Sequence, residues 1–122
     1  MLQQTNKAKG YAAESAAADW LAARGYRIIE RNATFPGAEI DFVCAKDGFT
    51  VFLELKWRAG PLFGAPEEAL TWTKRRALAR AIAVWCVRHG ADLDDARFDF
   101  LAGERLPNGT TEWRLYENVE LG

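Results

Sequence analysis

Asp41 is followed, after a short apolar stretch and an Asp47-Gly48 pair, by Glu54-Leu55-Lys56, and Glu39 precedes it by two residues. An acid followed by acid-x-lysine suits phosphodiester hydrolysis. Two carboxylates hold Mg²⁺ or Mn²⁺, the metal polarises the phosphoryl oxygen and acidifies a bound water, and the lysine orients that water or meets the developing negative charge. As a bare pattern it is weak, because short acid-x-lysine runs arise by chance. The plainer alternative is a surface charge ladder in which Lys56 and Arg58 neutralise the acids.

Position strengthens the chemical reading. Apolar-rich runs flank Asp47-Gly48, the strongest short-range signal for a two-residue hairpin turn. Such a turn places Lys46 opposite Phe49. Counting outward, it places Asp41 opposite Glu54 and Glu39 opposite Lys56. Alternation along a strand then puts these four charged side chains on one face, and Ile40, Phe42, Leu53, Leu55 and Trp57 on the other. Opposed carboxylates repel, and a charged cluster in a central hairpin needs an offsetting partner, for which a divalent cation is the natural candidate.

The flanking elements must hold this hairpin. Lys9 to Arg24 reads as an alanine-rich helix ended by Gly25, with a core stripe of Tyr11, Glu14, Ala17, Ala18 and Leu21. Glu14 is the odd member. Either it snorkels to water or pairs with an arginine at the helix edge, or it points into the site of the hairpin acids as a further metal ligand or a support for metal-bound water. Tyr26 to Asn32 reads as a first strand, and with the hairpin it makes a three-strand meander. Ala59 to Pro66, rich in glycine and proline, reads as a loop leaving the carboxylate strand, placed to contact substrate or simply to connect. Glu67 to His89 reads as one long helix, or as a short turn followed by a helix from about Thr71, capped by Gly90. Leu78, Ala81, Ile82, Trp85 and Cys86 form its buried stripe. Lys74, Arg75, Arg76 and Arg80 crowd its early turns, where cations oppose the helix dipole. That placement favours a phosphate-facing row over a merely solvated one, with Arg58, Lys74, Arg75 and Arg80 as nucleic-acid contacts. His89, at a helix end, caps carbonyls and has no catalytic role. Arg97–Ala102 and Trp113–Tyr116 read as two later strands that extend the sheet at an edge.

With 122 residues and 49% hydrophobic content, the chain fits one domain, 1–122, with a sizeable core. The formal net charge of -1 neither requires nor excludes nucleic acid. It hides a basic middle segment and an acidic tail from Asp92 onward. Cys44 and Cys86 each sit in an apolar run and read as buried reduced thiols, with no zinc spacing. The polar stretch from Met1 to Gly10 lacks the apolar region of a signal peptide, and no run is long enough to span a bilayer. The expected location is the cytoplasm, without membrane association.

Several motifs in order carry a resemblance: Gly10-x-x-x-Glu14-x-Ala16, Gly25-Tyr26, Arg31-Asn32, Glu39-Ile40-Asp41, Phe52-Leu53-Glu54-Leu55-Lys56-x-Arg58, Lys74, and Arg97-Phe98-Asp99. Over Gly10 to about Leu101 the chain resembles the YraN family of small bacterial proteins, which is similar to Holliday-junction-resolvase-type nucleases of the PD-(D/E)xK superfamily. Ala38 stands where that family usually has a second glycine. The resemblance implies an α/β fold with a restriction-endonuclease-like αβββαβ core, a mixed central sheet flanked by helices. It implies Asp41, Glu54 and Lys56 at the catalytic site with Glu14 beside them, Mg²⁺ or Mn²⁺ as cofactor, DNA including branched DNA as partner, and a homodimer by analogy with resolvases. Kinship of fold does not establish turnover. Two other readings stand beside the endonuclease: a non-catalytic nucleic-acid-binding module with a vestigial acid cluster, and a protein-interaction domain whose apolar tail, Trp113 to Leu121, packs on a partner.

Overall fold

The computed structural model describes residues 2–122, with side chains from Gly10 onward; the expectation placed on the side chains of Met1 to Lys9 lies outside the described residues. Helix α1 covers Leu2–Ala22. It starts ahead of the expected Lys9, since glutamine, lysine and alanine carry little helix penalty. Gly25, at φ 88, closes it: Gly25 N–H donates to Ala22 and Tyr26 N–H to Leu21, both at 3.1 Å. Strands β1 (Arg27–Phe35), β2 (Ala38–Lys46) and β3 (Phe49–Arg58) follow. Short 3-10 turns at Pro61–Phe63 and Pro66–Ala69 lead to helix α2 (Trp72–His89), and then to β4 (Ala96–Arg105) and β5 (Thr111–Tyr116).

The result is an α/β protein with a mixed five-stranded sheet in the order β1-β2-β3-β4-β5. β4 runs parallel to β3, with Glu54 beside Phe100 and Lys56 beside Ala102, and every other neighbouring pair is antiparallel. The first of the two later strands is therefore interior; the edges are β1 and β5. A parallel neighbour needs a crossover, which α2 supplies.

The helices divide the core between the sheet's two faces. Ala17, Ala18 and Leu21 of α1 pack on Tyr26, Phe42, Cys44, Val51, Leu53 and Leu101. Leu78, Ala81, Ile82, Trp85 and Cys86 of α2, the expected stripe, pack on Val43, Phe52, Phe98 and Phe100. Cys44 and Cys86 are both buried and free, and they lie in different faces of the core, so no bridge can join them.

Tyr11 departs from the expected stripe of α1, being 68% exposed; the buried part of the helix begins a turn and a half later, at Ala17. The tail also departs from expectation. Val119 N–H donates to Phe98 at 2.8 Å, and Val119 and Leu121 pack on the α2 side of the core. The chain's own core thus occupies the apolar tail that the interaction-domain reading offered to a partner. Asp99, fully buried, holds this region together: it accepts Arg97 through both carboxylate oxygens, Tyr26 Oη at 2.7 Å and Asn118 N–H at 2.9 Å.

Candidate functional site

The turn between β2 and β3 follows from its residues. Asp47 at φ 51 and Gly48 at φ 85 give the doubly left-handed turn that matches strand twist. Regular pairing then runs from Lys46 opposite Phe49 to Phe42 opposite Leu53. It ends one residue before the acids. In place of a backbone pair, the Asp41 carboxylate accepts the Leu55 N–H at 2.8 Å.

The strand also switches face at this point. Phe42 packs on the α1 side and Ile40 on the α2 side, although two residues apart. The expectation that Ile40 shares a face with Phe42, Leu53 and Leu55 is therefore wrong. The cause lies next door. Asn32 of β1, between the pairs Arg31–Phe42 and Ala33–Ile40, has φ 54. A left-handed residue rotates the strand's alternation, and asparagine tolerates that conformation better than most. The same residue donates from Nδ2 to Glu14 Oε1 at 3.1 Å, fixing the helix acid.

Asp41 and Glu54 face the same cavity despite the broken register. Glu54 is 5% exposed, and Lys74 Nζ reaches it from α2 at 2.8 Å. Burial, first of all, and then the neighbouring Glu54 hold the Asp41 carboxyl well above the usual carboxylate range; the Leu55 N–H only partly opposes this. Lys56 moves the other way. Burial lowers its pKa, and the charges of Arg58 and Lys74 lower it further.

Two cavities open on this cluster, and Asp41, Leu55 and Lys56 line both. The first, about 490 Å³, lies toward α2 and adds Glu39, Glu54, Thr71, Thr73 and Lys74. The second, about 700 Å³, lies toward α1 and adds Glu14, Arg58 and Phe63. Asp41, Glu54, Lys56 and Lys74 thus come together, with Glu14 and Arg58 on the adjoining wall. Among the described residues no three His, Cys, Asp or Glu side chains form a ready-made metal cage; Glu14 shares the second cavity with Asp41.

Two of the expected nucleic-acid contacts lie elsewhere. Arg75 donates to the Leu70 carbonyl at 3.2 Å and the Glu120 carbonyl at 2.9 Å, and its guanidinium lies over Trp72. Its charge anchors the start of α2 and the tail. Arg80 is exposed, and helical spacing sets it opposite the buried Leu78–Ile82 stripe, away from both cavities. His89 Nδ1–H donates to the Trp85 carbonyl at 2.8 Å, and the ring stacks on the Trp85 ring, the capping role expected. Sequence reasoning missed Asn32 as the clamp on Glu14 and Phe63 as cavity wall. Only the exposure of an aromatic in a glycine-flanked loop hinted at the latter.

The fold and the site define a class: an α/β protein whose central hairpin presents two carboxylates, Glu54 buried and Asp41 partly so, and a lysine to an open cavity. The particular family is given by comparison. The model of the family described as "Uncharacterised protein family UPF0102" matches residues 13–102. The chain is 43% identical over 110 residues to the UPF0102 protein STH1475 of Symbiobacterium thermophilum, covering 90% of this chain and 93% of that one. It is 39% identical over 101 residues to a UPF0102 protein of Moorella thermoacetica, covering 83% and 84%. It is 35% identical over 113 residues to the UPF0102 protein YraN of Escherichia coli, covering 91% and 84%. The chain belongs to the UPF0102 (YraN) family. Among the described residues no helix is long and apolar enough to cross a membrane.

Proposed function

We propose that this protein is a metal-dependent DNA endonuclease of the PD-(D/E)xK type, with branched DNA of recombination or repair among its substrates. The single observation that carries the reading is that Asp41, Glu54 and Lys56 line one open cavity. Two hard oxygen donors side by side fit Mg²⁺ or Mn²⁺, which take one or two carboxylates and complete their shell with water and phosphate. Asp41 and Glu54 would hold the ion, and Glu14, fixed by Asn32, would hold water bound beside it. When bound, the metal polarises a phosphoryl oxygen and acidifies a bound water.

The chain's own groups supply the rest. Lys56, depressed by burial and by two neighbouring cations, releases its proton more readily than a free lysine and so serves as the base for the attacking water. Lys74 and Arg58 meet phosphate oxygens, which carry no sequence information. Arg75 and Arg80 have no part in this step.

The test is cleavage of a labelled four-way junction beside a linear duplex of the same sequence, with Mg²⁺ or Mn²⁺. Asp41→Asn keeps an oxygen for the Leu55 N–H, so it should fold and should lose detectable cleavage. Equal activity in wild type and Asp41→Asn at matched purity rejects the reading.

One observation favours a nucleic-acid-binding module without turnover. The Lys74–Glu54 ion pair already balances the buried acid without a metal. That reading expects salt-sensitive DNA binding, no cleavage, and a melting temperature unmoved by Mg²⁺.

A further inference from the structure

The loop after β3 carries two apolar side chains into solvent beside the acid cluster. Leu62 is 95% exposed and Phe63 63% exposed. Isolated exposed apolar residues need no explanation, but these adjoin each other on an ordered turn. Phe63 N–H donates to Gly60 and Gly64 N–H to Pro61, both at 3.3 Å, and Gly64 turns the chain at φ 80. The backbone therefore holds the aromatic ring outward.

Phe63 forms one wall of the 700 Å³ cavity, and Lys56 and Arg58 form another. Gly10 and Ala13 of α1 leave its floor open. That volume falls within the roughly 300–1,000 Å³ typical of sites for nucleotide-sized ligands. Arg58 Nε is buried and, among the described residues, lacks a hydrogen-bond partner.

We propose that this cavity receives one nucleotide of an unpaired DNA strand, with its phosphate on Arg58 and its base stacked on Phe63. Cation beside aromatic is the chemistry by which proteins hold single strands, since every base offers a π-face and every link a charge. A paired base inside a duplex cannot present its face to Phe63. The cavity thus gives the DNA-binding reading above, on which this inference rests, a substrate class: ends, flaps and branch points at which a strand is splayed, in preference to uninterrupted duplex.

The test is equilibrium binding of the full chain, in EDTA so that cleavage plays no part, to a splayed-arm DNA and to the matched duplex. Wild type should prefer the splayed arm. Phe63→Ala should lose roughly 5- to 100-fold affinity for the splayed arm, the effect expected for one lost base stack, with little change for duplex. Phe63→Trp should restore the preference. Arg58→Gln should weaken binding and flatten its salt dependence. Equal affinity for the two DNAs, or a preference that survives Phe63→Ala, overturns the inference. So does a dimer that Phe63→Ala turns into monomer while the preference persists, because the turn is then a protein interface. Absence of cleavage by wild type with Mg²⁺ sinks the endonuclease reading and leaves the binding preference standing.

Discussion

Lys74 Nζ lies 2.8 Å from a carboxylate oxygen of Glu54, reaching from α2 to the middle of the sheet. The pair is unequal: the Glu54 side chain is 6% exposed and that of Lys74 39%. The lysine occupies the charge-balancing position that a divalent cation would take. Lys74→Gln should lower metal-free stability by about 1–2 kcal/mol, less than for a fully buried pair because the lysine keeps some water. Adding Mg²⁺ or Mn²⁺ should raise the melting temperature of Lys74→Gln by more than that of wild type. Equal shifts would mean that lysine and metal do not compete.

Asp41 ties stability to pH with a definite sign. Its folded-state pKa is raised, first by burial and then by Glu54. The stabilising contribution is therefore fully present below the ordinary carboxylate pKa of about 4 and is lost as pH rises toward the folded value. Melting temperature should fall across that window in wild type. Asp41→Asn should flatten the fall, with a gain of about 1–2 kcal/mol, or several degrees, above neutral pH. Mg²⁺ should stabilise wild type more at high pH than at low, because binding must displace the proton.

Asp99 carries a different kind of weight. Arg97, Tyr26 and the Asn118 N–H all converge on it, and it is fully buried. Asp99→Ala strands a cation and two donors and should cost about 3–5 kcal/mol. Tyr26→Phe removes a single hydrogen bond and should cost about 1 kcal/mol. Chemical denaturation with an unchanged slope against denaturant checks both.

Gly103 is required by two tryptophans. A methyl group there would stand 2.5 Å from Trp113 and 2.8 Å from Trp57, on strands to either side of β4. Gly103→Ala should cost about 1–3 kcal/mol through overpacking. Near-ultraviolet circular dichroism, which reports tryptophan packing, should change with it.

Much of this was legible in sequence because it is local. Asp47-Gly48 sets the hairpin, since only those residue types accept two left-handed conformations in a row. Gly25 and Gly90 end the helices for the same steric reason, and the period of Leu78, Ala81, Ile82, Trp85 and Cys86 fixes the buried face of α2. The acids and the lysine were visible as types at a spacing, and the ordered motifs pointed to the family. What tertiary structure alone decided is which charges meet. The left-handed Asn32 turns Ile40 away from Phe42, and the pairing stops short of Asp41, so the Asp41 carboxylate binds a backbone N–H while still facing the same cavity as Glu54. The crossover of α2 carries Lys74 onto Glu54 and commits Arg75 to carbonyls far along the chain. A sequence records backbone preference and periodicity residue by residue; the approach of charges from separate elements is set by helix placement and strand irregularity, which arise only when the whole core packs.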